Sequence, residues 1–209
     1  MSLTLYETVQ RIVQQELGQV RTAELALVRE QHSHSDSSDN ENYTCTVELR
    51  NSALVLKRVP VATSQIGAVS IPDVGELVLV QFIGGDINSP VITGCLYNDQ
   101  DRPPKNSNGQ NIMHLPLAAG DDDAVHIELN SGDKREINIK LGSGLEVKLK
   151  DDDPAVELNV GGGNATLSIA KDGGIKVDSK GDISIHGNQV KIEADSTLTL
   201  KGQSAVNIN

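Results

Sequence analysis

Aromatic side chains are almost missing: one Phe, three Tyr and no Trp, or 2% of 209 residues. A core cannot be built from rings here, so it must rest on Val, Ile and Leu, which favour pleated surfaces and narrow solenoids. Positive charge is also scarce. Eighteen Lys and Arg stand against 29 Asp and Glu, for a net charge of -11. That balance argues against a phosphate-tracking nucleic-acid binder, which needs a basic face, and against docking on anionic lipid heads. No run of about 18 apolar residues is present to span a membrane as a helix. The first residues, MSLTLYETVQRIVQQEL, lack the basic start, apolar stretch and small-residue cleavage site of a secretory signal. Synthesis in the cytoplasm without a signal peptide is the expectation. Two cysteines, Cys45 and Cys95, are too few for a disulfide framework and are expected to be reduced thiols in strands.

What is present begins with a short helix in residues 1–20. Val9, Ile12, Val13 and Leu17 fall on one face at helical spacing, and Thr4 followed by Glu7 matches a capping box. So short a helix is marginal alone, so its apolar stripe must dock, on its own domain or on a partner subunit. From Ala23 the pattern changes to alternation: ELALVREQ, YTCTVELR and ALVLKRVPVA read as strands. The polar stretch HSHSDSSDNEN between the first two reads as a solvated loop. His32 and His34 within it are two potential metal ligands without a third. Residues 71–104 hold a Pro72–Asp73–Val74–Gly75 turn, the strand ELVLVQFI, a tight Gly84–Gly85–Asp86 connection and a return strand from Pro90. Short strands closed by glycine turns imply a small antiparallel barrel over residues 21–104.

These residues resemble a family. Pro72, Gly75, Glu76, the strand VLVQF, Gly84–Gly85–Asp86, Pro90–Val91–Ile92, Gly94 and the ending Leu96–Tyr97–Asn98 are similar to the OB-fold barrel of contractile-injection spikes, the phage baseplate assembly protein V group and the VgrG spikes of type VI secretion. In that family the barrel is a structural collar, so the resemblance implies no nucleic-acid site, in agreement with the acidic charge.

Residues 105–124 read as a linker or neck. Beyond them, over residues 125–209, apolar residues recur in i, i+2 pairs: Val125–Ile127, Ile137–Ile139, Leu145–Val147, Val156–Leu158, Leu167–Ile169, Ile175–Val177, Ile183–Ile185, Val190–Ile192, Leu198–Leu200 and Val206–Ile208. From Ile175 on the spacing is seven or eight residues, an internal repeat. One strand with two large aliphatics buries too little to hold itself, and a single ladder of them leaves an apolar face open. Burial therefore calls for three chains around one axis. The resemblance implies the same thing, an intertwined trimeric β-helix. The expected fold is all-β with a short N-terminal helix: an OB-fold barrel followed by that β-helix needle.

No catalytic residue, metal site or cofactor is expected. There is no G-x-S-x-G, HExxH or Walker sequence, and His114, His126 and His186 read as isolated. The triple-Asp runs at 121–123 and 151–153 read as solvated turns rather than calcium sites. Some phage spikes of the family end in iron-binding His-x-His repeats; the last residues here, KGQSAVNIN, do not, so the resemblance implies a separate PAAR-like tip protein seated on Val206 and Ile208. The expected role is a non-enzymatic homotrimeric spike. Its helix, through Val9, Ile12, Val13 and Leu17, seats on tail-tube or baseplate hub proteins, and its needle pierces a target cell envelope. A phage tail, bacteriocin, type VI system and extracellular injection particle all remain open as the host machine. The alternative readings are a trimeric β-solenoid adhesin or carbohydrate-binding fibre, which leaves the barrel motif unexplained, and a solenoid glycosidase, for which no carboxylate pair stands out.

Overall fold

The computed structural model describes residues 4–120, 123–204 and 206. The chain divides into two compact units, Met1–Asn106 and Ser107–Asn209.

In the first unit, α1 (Leu5–Gln19) precedes five strands: β1 (Ala23–His32), β2 (Thr44–Leu49), β3 (Val55–Pro60), β4 (Leu77–Phe82) and β5 (Pro90–Leu96). They pair in the order β3-β2-β1-β4-β5, antiparallel at each step. A parallel bridge between Val61 and Ile92 and a hydrogen bond from the Ala62 N–H to the Ile92 carbonyl (2.8 Å) bring the end of β3 back to β5 and close the sheet on itself. Closure bends strands, and the ladder breaks register once each between β1 and β2, β2 and β3, and β4 and β5, as barrels require. The interior is aliphatic: Ala26, Val28, Cys45, Val47, Leu49, Val59, Val78, Val80 and Ile92, with Phe82 the one aromatic ring. Each Val or Ile removed from water there stabilises the barrel by about 1.5–3 kcal/mol before entropy is counted.

The expected tight connection after β4 is a seven-residue loop. It opens with a 3-10 turn, Ile83–Gly85, in which Gly84 and Gly85 have φ of 64° and 79°. These are left-handed positions that side chains other than hydrogen resist. Gly85 is doubly constrained, because a Cβ there would lie 2.7 Å from Val20 Cγ1.

The second unit is one antiparallel meander of seven strands: β6 (Gln110–Leu115), β7 (Val125–Asn130), β8 (Glu136–Leu141), β9 (Leu145–Lys150), β10 (Val156–Val160), β11 (Ala165–Ile169) and β12 (Ile175–Ser179). Six of these fall on the apolar pairs read from the sequence. β6 lies in the segment expected to be a linker; its alternation Ile112, His114 against Met113, Leu115 carries an edge strand. The β10–β11 turn uses Gly161, Gly162 and Gly163 at φ of 58°, 65° and 91°, three successive left-handed residues that only a glycine run accommodates. From residue 180 to 204 the chain forms no strand and is exposed throughout. The strands expected at Ile183–Ile185, Val190–Ile192 and Leu198–Leu200 are therefore absent from the single chain. Strands of five residues with two aliphatics have no neighbour here to pair with, and backbone groups without ladder partners stay with solvent.

Candidate functional site

The capping box at α1 forms as its residues dictate. The Thr4 N–H donates to Glu7 Oε2 (2.8 Å) and the Glu7 N–H to Thr4 Oγ1 (3.3 Å). These bonds hold the Glu7 carboxyl below its usual range, the backbone Thr4 bond most of all. The helix so anchored leaves its stripe in water: Val9, Ile12 and Val13 are 51%, 54% and 48% exposed. The Leu17 side chain lies outside the described residues. Docking of this stripe on its own barrel, one of the two expectations, is not what the fold shows.

The second sheet has two contrasting faces. On one, aliphatics stand directly opposite each other from strand to strand: Met113, Ile127, Ile139, Val147, Leu158, Leu167 and Val177 in one row, and Leu129, Ile137, Leu149, Val156, Ile169 and Ile175 in the next. The unequal turns at 151–155 and 161–164 absorb the irregular spacing of the pairs, so register survives. Cross-strand aliphatic pairs are the unit of sheet stabilisation, yet these rows remain half open to solvent. Leu129 and Leu149 are each 43% exposed and Val177 is 57% exposed.

The opposite face is charged and internally paired. Lys140 and Lys148 reach Glu146 at 3.6 and 3.1 Å, and Lys150 reaches Glu157 at 3.5 Å. The Glu146 hydrogen bond raises the Lys148 ammonium above its ordinary value. This face pairs these charges, although the buried Asn138 Oδ1 has no hydrogen-bond partner; the aliphatic face does not have its apolar area covered.

The turn at 151–153 is likewise committed. Asp152 pairs with Lys134, Asp151 with Arg135 (2.6 Å), and Asp153 Oδ1 accepts from the Lys171 N–H (3.0 Å). Two basic side chains and one backbone N–H of neighbouring turns thus engage these three carboxylates. Asp121 and Asp122 lie outside the described residues. In the loop after β1, Asp39 is the organiser. Its carboxylate accepts from the Ser35, Asp36 and Glu41 N–H groups (2.7–2.9 Å) and faces His34 Nδ1 at 2.8 Å. The His34 bond, then the backbone bonds, hold it far below the usual carboxylate range. His32 points elsewhere, its Nε2 3.0 Å from Thr46 Oγ1.

Of the expected tip residues, Val206 is 51% exposed, and Ile208 lies outside the described residues. Cys45 is buried and Cys95 exposed, both as free thiols. Although Cys95 is exposed as a residue, desolvation of its thiol by surrounding protein atoms, with the nearby Glu76 carboxylate, pushes it up to about 11, so neither chemistry nor charge marks it as a nucleophile.

One grouping escaped the sequence reading. His114 and His126 are not isolated: they face each other across β6 and β7, Nδ1 to Nδ1 at 3.1 Å. Their twelve-residue separation is a hairpin spacing, legible only once residues 110–115 are read as a strand.

Comparison with known proteins bears on the barrel. Residues 46–97 match the family described as the type VI secretion system/phage-baseplate injector OB domain. The match runs from within β2 through β5 and includes the motif-bearing residues 72–97. A stretch of 38 residues is 53% identical to the type VI secretion system spike protein VgrG5 of Pseudomonas aeruginosa, covering 18% of this chain and 5% of that one. A stretch of 68 residues is 35% identical to the actin cross-linking toxin VgrG1 of Vibrio cholerae serotype O1, covering 32% of this chain and 6% of the relative. Residues 46–97 of the first unit are thus similar to an injector OB domain, and the chain resembles VgrG spike proteins over that stretch. The likeness is local: the matched stretches span about a twentieth of each curated relative.

Proposed function

We propose that this protein is a structural, non-enzymatic spike of a contractile injection machine, a homotrimer whose needle is an intertwined β-helix. The observation that carries the reading is the aliphatic face of the second sheet. Two in-register rows run over six or more strands, half open to water, behind a charged face whose pairs are already made. An exposed apolar surface of that extent calls for a protein partner, and a threefold arrangement of identical sheets covers it symmetrically. Residues 183–200 continue the i, i+2 aliphatic pattern without strand partners of their own chain, which suits strands that ladder between chains. The injector OB domain favours assembly into a baseplate or spike complex.

In this reading the barrel is a collar, and the α1 stripe seats on a hub or tail-tube protein. The apolar positions Leu198, Leu200 and Val206 offer a seat to a tip protein of the PAAR kind. Force on sheath contraction passes along a hydrogen-bonded ladder into the target envelope, which demands stiffness rather than a reactive group. Native mass spectrometry tests it: the expected species is about 67 kDa, three times the 22.3 kDa chain. A monomer at every concentration refutes the needle.

A further inference from the structure

The barrel closes at one corner and gapes beside it. β3 and β5 are the end strands of the sheet order, and they meet at the Val61–Ile92 bridge and the Ala62–Ile92 hydrogen bond. Before that point β3 carries a bulge, in which Lys57 and Arg58 stand against Thr46 alone and Arg58 takes a φ of 54°. A bulge bends its strand, and here the bend leaves a cleft of about 480 Å3 between residues 55–58 and residues 83–91.

Hydrogen-bond alternation defines what each wall offers. Opposed residues in an antiparallel pair are bonded and unbonded by turns. The Leu49 N–H donates to the Leu54 carbonyl (2.8 Å), so Leu56, opposite Val47, also turns its backbone groups to β2. Val55 and Lys57 therefore turn theirs into the cleft, where no backbone hydrogen bond meets them among the described residues. On the other wall the Ile83 N–H donates to the Ser89 carbonyl (2.9 Å). The same alternation points Pro90 and Ile92 away from β4. Ile92 is engaged by Ala62, and Pro90 has no N–H to give. The β3 edge is thus the wall able to template a further strand.

The side chains select its chemistry. Ile83 is 66% exposed and Val55 45% exposed, and with Ile87 and Val91 they give the cleft an aliphatic lining. The chain is strongly acidic, yet the ionisable side chains lining this cleft are Lys57 and Arg58. Arg58 is held by both oxygens of Glu41 (2.9 and 3.1 Å), whereas Lys57 makes no ion pair among the described residues.

We propose that this cleft binds an extended acidic–aliphatic segment of a partner polypeptide, added as a strand to the open edge of β3. The period of two sends alternate aliphatic side chains toward Ile83 and Val91 and carboxylates toward Lys57. The site lies wholly within the barrel, so it stands or falls independently of the trimeric needle. The probe is fluorescein-labelled Asp-Val-Glu-Val-Asp-Val-Glu-amide, titrated into the full-length protein by anisotropy, with hydrogen exchange to locate it. Binding should slow exchange in β3 and in residues 83–91. Lys57→Glu should weaken it at least fivefold, and Lys105→Glu, in the exposed segment after β5, should leave it within twofold. Proline for the central Val of the peptide should abolish binding, and so should Lys for its acidic residues. These two peptides test the wild type directly, so the outcome does not depend on the folding of a variant. Absence of binding, equal binding of either altered peptide, an unaffected Lys57→Glu protein, or tighter binding of an oligothymidylate strand each overturns the proposal.

Discussion

Leu149 separates a lone chain from a closed needle. In the single chain it is 43% exposed, between Ile137 and Val156 in the second aliphatic row. If that exposure were real in solution, Leu149→Asp would cost no more than an ordinary surface change, within about 0.5 kcal/mol. If three chains close over it, the substitution forfeits about 1 kcal/mol of remaining burial per chain. It also places three carboxylates in an apolar interior at several kcal/mol each, a total of order 10 kcal/mol per trimer. That is comparable to the whole stability of a typical folded protein, about 5–15 kcal/mol. The assay is native mass together with thermal unfolding, with Thr166→Lys as the control; Thr166 lies on the polar face between Asn159 and Asp178. The expected result is loss of the trimer in Leu149→Asp and an unchanged trimer in Thr166→Lys. A Leu149→Asp protein that stays trimeric and unfolds at the wild-type temperature refutes the closed face.

Ile12→Asp should leave the unfolding temperature unchanged, since Ile12 is 54% exposed, while removing hub protein from pull-downs; retained hub binding would place the docking surface elsewhere. Gly162→Ala meets no atom within 4 Å but sits at φ +65°, so it should cost about 1 kcal/mol, whereas Gly85→Ala adds the contact with Val20 and should cost measurably more in denaturant titrations. The Asp39 carboxyl is depressed in the fold, so its contribution to loop order is fully present above the ordinary carboxylate range and is lost as pH falls through its lowered value. Amide exchange at Ser35, Asp36 and Glu41 should therefore stay slow at pH 5, and Asp39→Asn should speed it at that pH.

Local chemistry made much of the first unit readable. The Thr4/Glu7 box needs only residues three apart, and the strands around the Gly84–Gly85 turn need only alternation and two residues free to adopt positive φ. The motif in residues 71–104 carried the family because turn glycines and prolines occupy positions that little else can fill. The i, i+2 pairs likewise located β7 to β12 through a period-two rule that neighbours do not alter. Other features depend on what lies opposite. Whether Gln110–Leu115 is a neck or an edge strand turns on its pairing with β7, and so does the meeting of His114 with His126. That the Asp151–Asp153 carboxylates are taken by Lys134, Arg135 and Lys171 depends on which turns stack together. The sequence by itself determined element type, the aliphatic composition of the core and the two-faced character of the second sheet, because these follow from residue preferences over a few positions. Only the tertiary structure decided the register that lines Ile127, Ile139, Val147, Leu158 and Leu167 into one row, and the closure of β3 onto β5. Both are set by contacts between residues distant in the chain, whose free energy no local pattern contains.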